Sequence, residues 1–190
     1  MRILVTGTSG GIGGAFKRVA EQAGHDIVEI NRADFNSLDK ACGNECFDAV
    51  LFATGTCPVK PMTAMDDDFL CETFAVNCAL FARLMRHIVS AKLYSSNAMK
   101  AIAISSVSAN EGWAGGIAYC ASKGALSAMC RAMDAELKAK KISVKAVEPR
   151  YIKTRMFDSC AGRMGVDSAL ARDPDDFARE LLAEFVKKEG

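Results

Sequence analysis

The chain alternates short apolar runs with longer segments in which apolar residues recur every three or four positions. The short runs are typical of buried strands, and the longer segments are typical of amphipathic helices. Strands are predicted at Arg2–Thr6, Asp26–Ile30, Ala49–Ala53, Lys100–Ser105 and Ser143–Glu148. Because they alternate with helices, we expect an α/β fold in which helices flank a parallel sheet.

The helical segments fill the intervals between these strands and close the chain. They are predicted at Ile12–Ala23, Leu38–Cys42, Asp67–Ala91, Ala118–Lys140 and Asp175–Lys188. Gly24 ends the first helix, and Pro149 stops the last strand. No internal repeat, low-complexity stretch or linker interrupts the pattern, so we expect a single domain over residues 1–190.

Composition and charge exclude several classes of function. The 24 lysines and arginines nearly balance the 23 aspartates and glutamates, so no global field attracts nucleic acid or an acidic membrane. Apolar residues make up 50% of the chain, which argues against disorder. No apolar run is long enough for a signal peptide or a membrane span, so a cytoplasmic protein is expected.

The cysteines number eight, but their positions are scattered. Several lie at apolar positions of predicted helices, where cysteine packs as a small hydrophobic residue. Cys42 and Cys46 could share a helix face, yet no nearby histidine or second pair completes a zinc set. Reduced structural thiols and no metal site are therefore predicted.

A glycine-rich turn joins the first predicted strand to the first helix. Its glycines permit a positive φ and let the backbone approach a pyrophosphate without a Cβ clash. The helix behind it offers unpaired N–H groups and a positive dipole end. A tight turn without a ligand is the alternative, but its place after an N-terminal strand favours a nucleotide site. The residues expected to contact the nucleotide here are Gly7, Thr8, Ser9, Gly10, Gly11, Ile12 and Gly13.

The end of the second predicted strand bears on the choice between NAD and NADP. An acidic residue there would bind the ribose 2′-hydroxyl and repel a 2′-phosphate. Asn31 occupies that place and Arg32 follows it. A guanidinium can pair with the phosphate and stack on adenine, although a solvated surface arginine is the alternative. We therefore expect NADP(H) in preference to NAD(H).

A tyrosine and a lysine begin the second long helix four residues apart, so Tyr119 and Lys123 project from one face. The pKa of a free tyrosine is about 10, and a neighbouring ammonium lowers it toward the range of a general base. Ser106 follows a predicted strand, and open parallel sheets bind ligands at the carboxyl ends of their strands. Hydroxyl donors from Ser106 and Tyr119 would stabilise the oxyanion that forms as a carbonyl accepts hydride.

Taken together, these motifs resemble those of the short-chain dehydrogenase/reductase family over roughly residues 1 to 156. The pattern from Thr6 to Gly13 is similar to the family's cofactor motif, and it also fits the TGxxGxxG spacing of the longer, sugar-nucleotide branch. The short interval between Ser106 and Tyr119 favours the single-domain branch. The resemblance implies a doubly wound, Rossmann-type parallel sheet of about six strands, with helices on both faces.

The resemblance also implies a role for each residue of the site. Tyr119 would be the acid/base, Ser106 would orient the substrate, and Lys123 would hold the nicotinamide ribose and lower the tyrosine pKa. Asn77 matches the asparagine that family members use in a proton relay with this lysine. Besides Tyr119 and Lys123, further cofactor contacts are expected from Asp34, Ala53, Thr54, Gly55, Pro149, Ile152 and Thr154.

The chain departs from the family pattern in three places. Arg150 follows Pro149 where the family has glycine, so the local turn is expected to differ; this arginine could meet an anionic substrate or lie on the surface. The segment after the second strand is short, and the tail lacks the strand that usually finishes the sheet. A substrate loop is expected around 150–172. The residues expected to line or cover the substrate are Trp113, Tyr151, Met156 and Phe157.

The expected function is an NADPH-dependent interconversion of a carbonyl and an alcohol by hydride transfer, with a small molecule as substrate. Two alternatives stay open. One is a non-catalytic dinucleotide sensor that has kept the fold, and the other is a nucleotide-sugar epimerase or dehydratase that would hold NAD through its cycle. Because family members pair their two long helices between subunits, a homodimer or homotetramer is expected.

Overall fold

Strands form where the short apolar segments lie, because helices cover both faces of the sheet and side chains alternate between those faces. The computed structural model describes residues 1–187. Its strands are β1 Arg2–Thr6, β2 Asp26–Ile30, β3 Ala49–Phe52, β4 Met99–Ile104 and β5 Ile142–Val147. They form one sheet in the order β2-β1-β3-β4-β5, and every neighbouring pair is parallel. The predicted doubly wound α/β class is confirmed, with five strands rather than about six.

With one exception, the helices follow the predicted positions closely. They are α1 Gly11–Gln22, α2 Leu38–Cys42, α3 Asp67–Phe74, α4 Leu80–Ser90, α5 Ile117–Leu137, α6 Arg155–Met164 and α7 Pro174–Val186. A π-helical turn, Ala75–Ala79, separates α3 from α4, which together occupy the predicted long helix. The predicted end of the last helix, Lys188, lies outside the described residues. No helix in the part of the chain that the structure describes is both long and apolar enough to cross a bilayer.

The connections explain why the sheet has fewer strands than expected. Between β2 and β3 the chain forms a 3-10 turn, Arg32–Asn36, followed by the short helix α2. After β5, residues up to 187 form helices and add no strand to the sheet. The short segment and the missing terminal strand noted in the sequence are therefore both visible in the fold.

Helix α6 was not predicted, because its residues fall within the expected substrate loop. Thr154 begins the helix, and its hydroxyl accepts a hydrogen bond from the backbone N–H of Phe157 at 3.2 Å. Gly165 ends it in the left-handed conformation, with φ of 67°. Two capping residues thus specify a helix inside a segment whose apolar residues suggested only a cover for substrate.

Two separate apolar layers hold the sheet. Leu4 points into the layer under α2, α4 and α5, whereas its neighbours Ile3 and Val5 point into the layer under α1 and α7. On that second side, the rings of Phe16 and Phe185 meet edge to face at 5.6 Å. Burial of both faces explains why all four residues of β3 are inaccessible.

The strand order reverses between β1 and β3, because β2 lies on one side of β1 and all later strands lie on the other. At such a switch point the loops at the carboxyl ends of the strands diverge and leave a crevice. The loops that follow β1, β3, β4 and β5 therefore meet at one edge of the sheet. Most of the predicted site residues lie in these loops and at the starts of the helices that follow them. Asn31, Arg32 and Asp34 instead follow β2, and Asn77 lies in the π-helical turn.

Candidate active site

A cavity of about 420 Å³ opens at this carboxyl edge. Its walls come from the loops after β1, β3, β4 and β5, the first turns of α5, and helix α6. The sheet holds the loops at the ends of its strands in place. Helix α6, which comes later in the chain, covers these loops. The cavity is thus the crevice that the strand order predicts.

The glycine-rich turn forms one end of the cavity. Gly7 has φ of 73°, and a Cβ built there would lie 2.7 Å from the carbonyl oxygen of Ala53. Helix α1 starts after Gly10 without a side-chain cap, so its first N–H groups are free to bind an anion. Of the predicted contacts, Gly7, Ser9, Gly10, Gly11 and Ile12 line the cavity, whereas Thr8 and Gly13 do not. Gly13 instead allows α1 to pack against the carbonyl of Gly7.

The lining residues fit a dinucleotide. The uncapped start of α1 can receive a pyrophosphate. Within the described chain, the buried Oγ1 of Thr54 has no hydrogen-bond partner, although Thr54 lines the cavity. Lys123 is buried at 4% exposure and also lines the cavity, and no carboxylate in residues 1–187 contributes to its pKa. An unpartnered hydroxyl and a buried ammonium that no carboxylate of the described residues neutralises suit a ribose.

The turn after β2 is shaped by an acid that does not reach the cavity. Asn31 and Arg32 line the cavity, as predicted, but Asp34 does not. The Asp34 carboxylate instead accepts a hydrogen bond from the backbone N–H of Asn31 at 2.7 Å, within a capping box. Arg32 makes an exposed ion pair with Glu72 at 3.2 Å. Asp34 therefore orders the turn that presents Arg32.

Three predicted catalytic side chains meet at the centre of the cavity. Ser106 follows β4 and caps a 3-10 turn by accepting a hydrogen bond from the N–H of Ser108 at 3.1 Å. Tyr119 lies in the first turn of α5, within hydrogen-bonding reach of the Ser106 hydroxyl. One turn later, the Lys123 Nζ lies 5.7 Å from the centre of the Tyr119 ring and donates to the carbonyl of Ile104 at 2.8 Å.

The protonation of the pair differs from the sequence-based expectation. Burial raises the pKa of Tyr119, and the contact with Ser106 opposes that shift. Burial lowers the pKa of Lys123 to about 8. The expected lowering of the tyrosine pKa by Lys123 is not observed, since removal of water around the phenol outweighs every other influence on it. At neutral pH the phenol is protonated, and it is ready to donate rather than to accept a proton.

Asn77 lies in the π-helical turn and does not line the cavity. Its amide accepts from the backbone N–H of Thr56 at 2.8 Å and donates to the Thr56 carbonyl at 3.0 Å and to Ser122 Oγ at 2.8 Å. A Cβ at Gly55 would lie 3.3 Å from Asn77 Oδ1 and 3.4 Å from Lys123 Nζ. The side chain thus ties the loop after β3 to α5 beside Lys123. Its hydrogen bonds are used for positioning, which leaves the predicted relay without support from this amide.

The other predicted cofactor contacts all lie at the cavity. Thr6 Oγ1 accepts hydrogen bonds from the N–H groups of Ala53 and Thr54, each at 3.2 Å, and so fixes the loop after β3. The contacts that line the cavity are Ala53, Thr54, Gly55, Pro149, Ile152 and Thr154. Arg150 also lines it, pairs with Glu111 at 3.2 Å, and has no positive φ. The turn after Pro149 therefore does not require a glycine.

Part of the cavity wall was not predicted from the sequence. Three expected cover residues, Tyr151, Met156 and Phe157, line the cavity, but Trp113 does not. The Trp113 ring packs instead against that of Tyr119 at 6.3 Å. The lining residues that were not predicted are Thr56, Cys57, Val76, Ile104, Ser105, Val107, Ser108, Arg155, Cys160 and Met164. The spacing of positions 156, 160 and 164 is that of one helix face, and it is the signal that would have found α6.

Comparison with known proteins agrees with this geometry. The family model described as short chain dehydrogenase matches residues 45–163, well over half of the chain. The chain belongs to the short-chain dehydrogenase family. As a member of it, the protein is an oxidoreductase that acts on a carbonyl/alcohol pair with NAD(P).

Curated relatives of this short-chain dehydrogenase include two reductases. L-xylulose reductase of Bos taurus is 30% identical over an alignment of 179 residues that covers 82% of this chain and 73% of that protein. The 3-oxoacyl-(acyl-carrier-protein) reductase FabG of Rickettsia felis is 28% identical over 181 residues, covering 82% and 74% of the two chains.

Solved structures share the fold of this short-chain dehydrogenase at lower identity. A short chain dehydrogenase family protein from Francisella tularensis superposes with a TM-score of 0.84 at 17% identity, covering 98% of this chain and 91% of that one. The 3-ketoacyl-(acyl-carrier-protein) reductase from Brucella melitensis, complexed with NADH, gives 0.79 at 18% identity, covering 95% and 88%. At these identities the likeness establishes the fold.

Proposed function

We propose that this short-chain dehydrogenase is an NADPH-dependent enzyme that interconverts a carbonyl and an alcohol, with Tyr119 as the acid/base. The observation that carries the proposal is the convergence of Ser106, Tyr119 and Lys123 at the carboxyl edge of the sheet, within a cavity that also contains the glycine-rich turn. The curated relatives, both named as reductases, support the same type of reaction. The balanced charge of the chain suits a cytoplasmic enzyme of this kind.

The residues divide the chemistry between them. When bound, NADPH supplies the hydride. The glycine-rich turn would hold the pyrophosphate at the start of α1, and Lys123 and Thr54 would bind ribose hydroxyls. The Ser106 hydroxyl donates to the carbonyl oxygen, and this hydrogen bond strengthens as negative charge develops there. The protonated Tyr119 then gives its proton to that oxygen, and the Lys123 ammonium stabilises the phenolate that is left.

The raised pKa of Tyr119 keeps the phenol in the protonated form that carbonyl reduction requires. A phenol that stays protonated at neutral pH needs no activation before it donates a proton to an alkoxide, which is far more basic. In the oxidising direction the same residue must first lose its proton, and burial opposes that step.

Removal of the phenolic hydroxyl tests this proposal. Tyr119→Phe is expected to lower kcat roughly 100- to 10,000-fold, the usual contribution of general acid catalysis. Turnover of NADPH is measured with a panel of ketones, aldehydes and 3-oxoacyl thioesters, and NADPH binding is measured separately by fluorescence. Retained binding with lost turnover is the expected result. Undiminished turnover in the variant would reject Tyr119 as the acid/base.

The preference for NADPH rests on Arg32. Its ion pair with Glu72 joins two exposed groups, so it contributes little free energy and can be exchanged for a 2′-phosphate. Since Asp34 is turned away into the capping box, no acid among residues 1–187 lines the cavity beside Arg32.

Arg32→Ala is therefore expected to raise the Kd for NADPH about tenfold or more, as loss of a charge-assisted contact does. The Kd for NADH serves as the internal control and is expected to stay unchanged. Arg150→Ala, which removes another exposed arginine from the cavity wall, is the matched variant. An equal loss of affinity for both cofactors in Arg32→Ala would contradict the assignment.

The two alternative functions, a non-catalytic dinucleotide sensor and a nucleotide-sugar epimerase or dehydratase, predict different results for the purified wild type and Tyr119→Phe. Tight cofactor binding without turnover on any substrate, unaffected by Tyr119→Phe, would indicate a sensor. NAD retained through purification would indicate an epimerase or dehydratase.

We also propose a homodimer or homotetramer through α4 and α5. Half-buried apolar side chains, among them Val89, Met129 and Met133, remain on these helices and support the proposal. Light scattering tests it, and a monomer would overturn it.

A further inference from the structure

One carboxylate outside the cavity joins three elements of the site. Glu148 directly follows β5 and does not line the cavity. Its Oε1 accepts a hydrogen bond from the Ser127 hydroxyl at 2.6 Å, and its Oε2 accepts one from Asn110 Nδ2 at 2.8 Å. Ser127 lies on α5, and Asn110 ends the 3-10 turn that Ser106 begins. The carboxylate therefore bridges the end of β5, the helix α5 and the turn after β4.

The backbone holds Glu148 beside this turn. The N–H of Ser105 donates to the carbonyl of Val147 at 2.8 Å. The N–H of Val107 donates to the carbonyl of Pro149 at 3.2 Å. These hydrogen bonds continue the pairing of β4 with β5 on both sides of Glu148. The side chain thus starts from a fixed point on the sheet.

The contact with Ser127 extends toward the residues of the proposed reaction. Ser127 is buried and lies one helical turn after Lys123. Its Oγ lies 2.9 Å from the Oγ of Ser105, and the Ser105 hydroxyl donates to the carbonyl of Lys123 at 3.0 Å. Since Ser105 directly precedes Ser106, one group of hydroxyls ties the turn to the helix beside Lys123.

We propose that Glu148 is a positioning residue, whose carboxylate sets the turn that carries Ser106 against the helix that carries Tyr119 and Lys123. This inference rests on the proposed function, because that function assigns these three residues to the reaction. Glu148 acts through its two hydrogen bonds, since its side chain does not line the cavity.

A carboxylate suits this place because both of its partners donate. The Ser127 hydroxyl and the Asn110 amide point at different oxygens, so one rigid group sets the separation of the two elements. Hydrogen bonds to an ionised acceptor are also stronger than those to a neutral one. Because a displacement of about 1 Å at a reaction centre lowers a rate roughly 100-fold, loss of this bridge should reduce kcat.

Three substitutions separate the length of the bridge from its charge. Glu148→Ala removes the bridge, and Glu148→Asp keeps the charge but is shorter by one methylene group; each is expected to lower kcat about 10- to 100-fold. Glu148→Gln keeps the length. Its oxygen can accept from Asn110 and its nitrogen can donate to Ser127, so it is expected to recover most of the loss seen in Glu148→Ala. A glutamine variant as slow as the alanine variant, or an aspartate variant as fast as the wild type, would overturn the proposal.

The split between turnover and cofactor affinity distinguishes positioning from a general loss of structure. The pyrophosphate end of the cavity is built from β1 and α1, which Glu148 does not contact. The Kd for NADPH is therefore expected to stay within about threefold of the wild-type value while kcat falls. Glu111→Ala is the matched control, because it removes an exposed carboxylate next to Asn110 that pairs with Arg150, and it is expected to leave kcat unchanged. A loss of NADPH affinity as large as the loss of kcat in Glu148→Ala would contradict a positioning role.

A double-mutant cycle tests whether Ser127 and Glu148 act through one contact. Ser127→Ala alone is expected to lower kcat. The double variant, Ser127→Ala with Glu148→Ala, is expected to be no slower than Glu148→Ala, because both changes break the same bridge. Losses that multiply in the double variant would refute the shared path.

Hydrogen exchange measures the bridge without any substrate. Amides of residues 106–111 are expected to exchange about tenfold faster in Glu148→Ala, and near the wild-type rate in Glu148→Gln. Unchanged exchange in Glu148→Ala would overturn the proposal. Faster exchange together with no turnover in the wild type would support the bridge and count against the proposed function.

Discussion

The two walls of the active-site cavity are built by different means. Loops at the carboxyl ends of β1, β3 and β4 form one wall, and a parallel sheet buried on both faces holds them in place. Helix α6 forms the other wall, and local contacts define it: the Thr154 cap, the left-handed Gly165 and a short apolar face. The glycine-rich turn and Ser106 lie on the first wall, and Tyr119 and Lys123 lie on α5. Met156 and Phe157, which we expect to touch substrate, lie on the second wall. A fixed reaction centre is thus combined with a cover whose stability is set locally.

The glycine-rich turn is where the first wall tolerates least change. Gly7→Ala is expected to lower the free energy of unfolding by about 3 kcal/mol or more, because a left-handed alanine and a clash with the Ala53 carbonyl add together. Gly24→Ala is the matched control, since Gly24 has φ of 79° but a Cβ there meets nothing within 4 Å. It is expected to cost only about 1 kcal/mol. Equal losses in denaturant titrations would show that close packing at the turn is not what fixes this wall.

Lys123 gives the buried side of the cavity a pH dependence. The pKa of Lys123 is about 8 in the folded protein against an ordinary 10.5, so between these values the unfolded chain binds more protons. The free energy of unfolding should therefore rise with pH in that window, by up to about 1.4 kcal/mol per pH unit. Denaturation of the wild type and of Lys123→Met across this range isolates the contribution as a difference between the two. A difference that is flat, or that falls with pH, would contradict the burial of an unpaired ammonium.

Removal of the N-cap of α6, which covers the cavity, should have the smallest effect on stability among these changes. Thr154→Ala removes the hydrogen bond to the Phe157 N–H and is expected to destabilise α6 by about 1 kcal/mol. Hydrogen exchange should then speed up in α6 while the amides of β3 keep their protection. Thr154→Ser retains the hydroxyl and serves as the control. If exchange accelerated equally in β3, the two walls would not be independent.

The same contrast explains which features could be predicted from the sequence. The bounds of β1 and β2 follow from apolar runs closed by glycine or by a polar turn, and Ser106, Tyr119 and Lys123 follow from their positions relative to predicted strands and helices. Local patterns are sufficient for these features because the sheet brings the ends of its strands together. The glycine turn was predictable for the same reason.

Other features depend on contacts between distant residues and could not be predicted in this way. The capping box that turns Asp34 away from the cavity depends on a backbone conformation, not on a motif. The raised pKa of Tyr119 depends on how deeply α5 and the loops around it bury the phenol. Only the helical spacing within α6 was present in the sequence as a local signal.

The central claim is that a protonated phenol, a hydroxyl and an ammonium converge beside the nicotinamide. A crystal structure of the full chain with NADPH tests it most directly. We expect the Tyr119 hydroxyl and Ser106 Oγ to face the reactive carbon of the nicotinamide, and Lys123 to contact the nicotinamide ribose. A nicotinamide bound elsewhere, or a Tyr119 ring turned away from Lys123 and the cofactor, would contradict it.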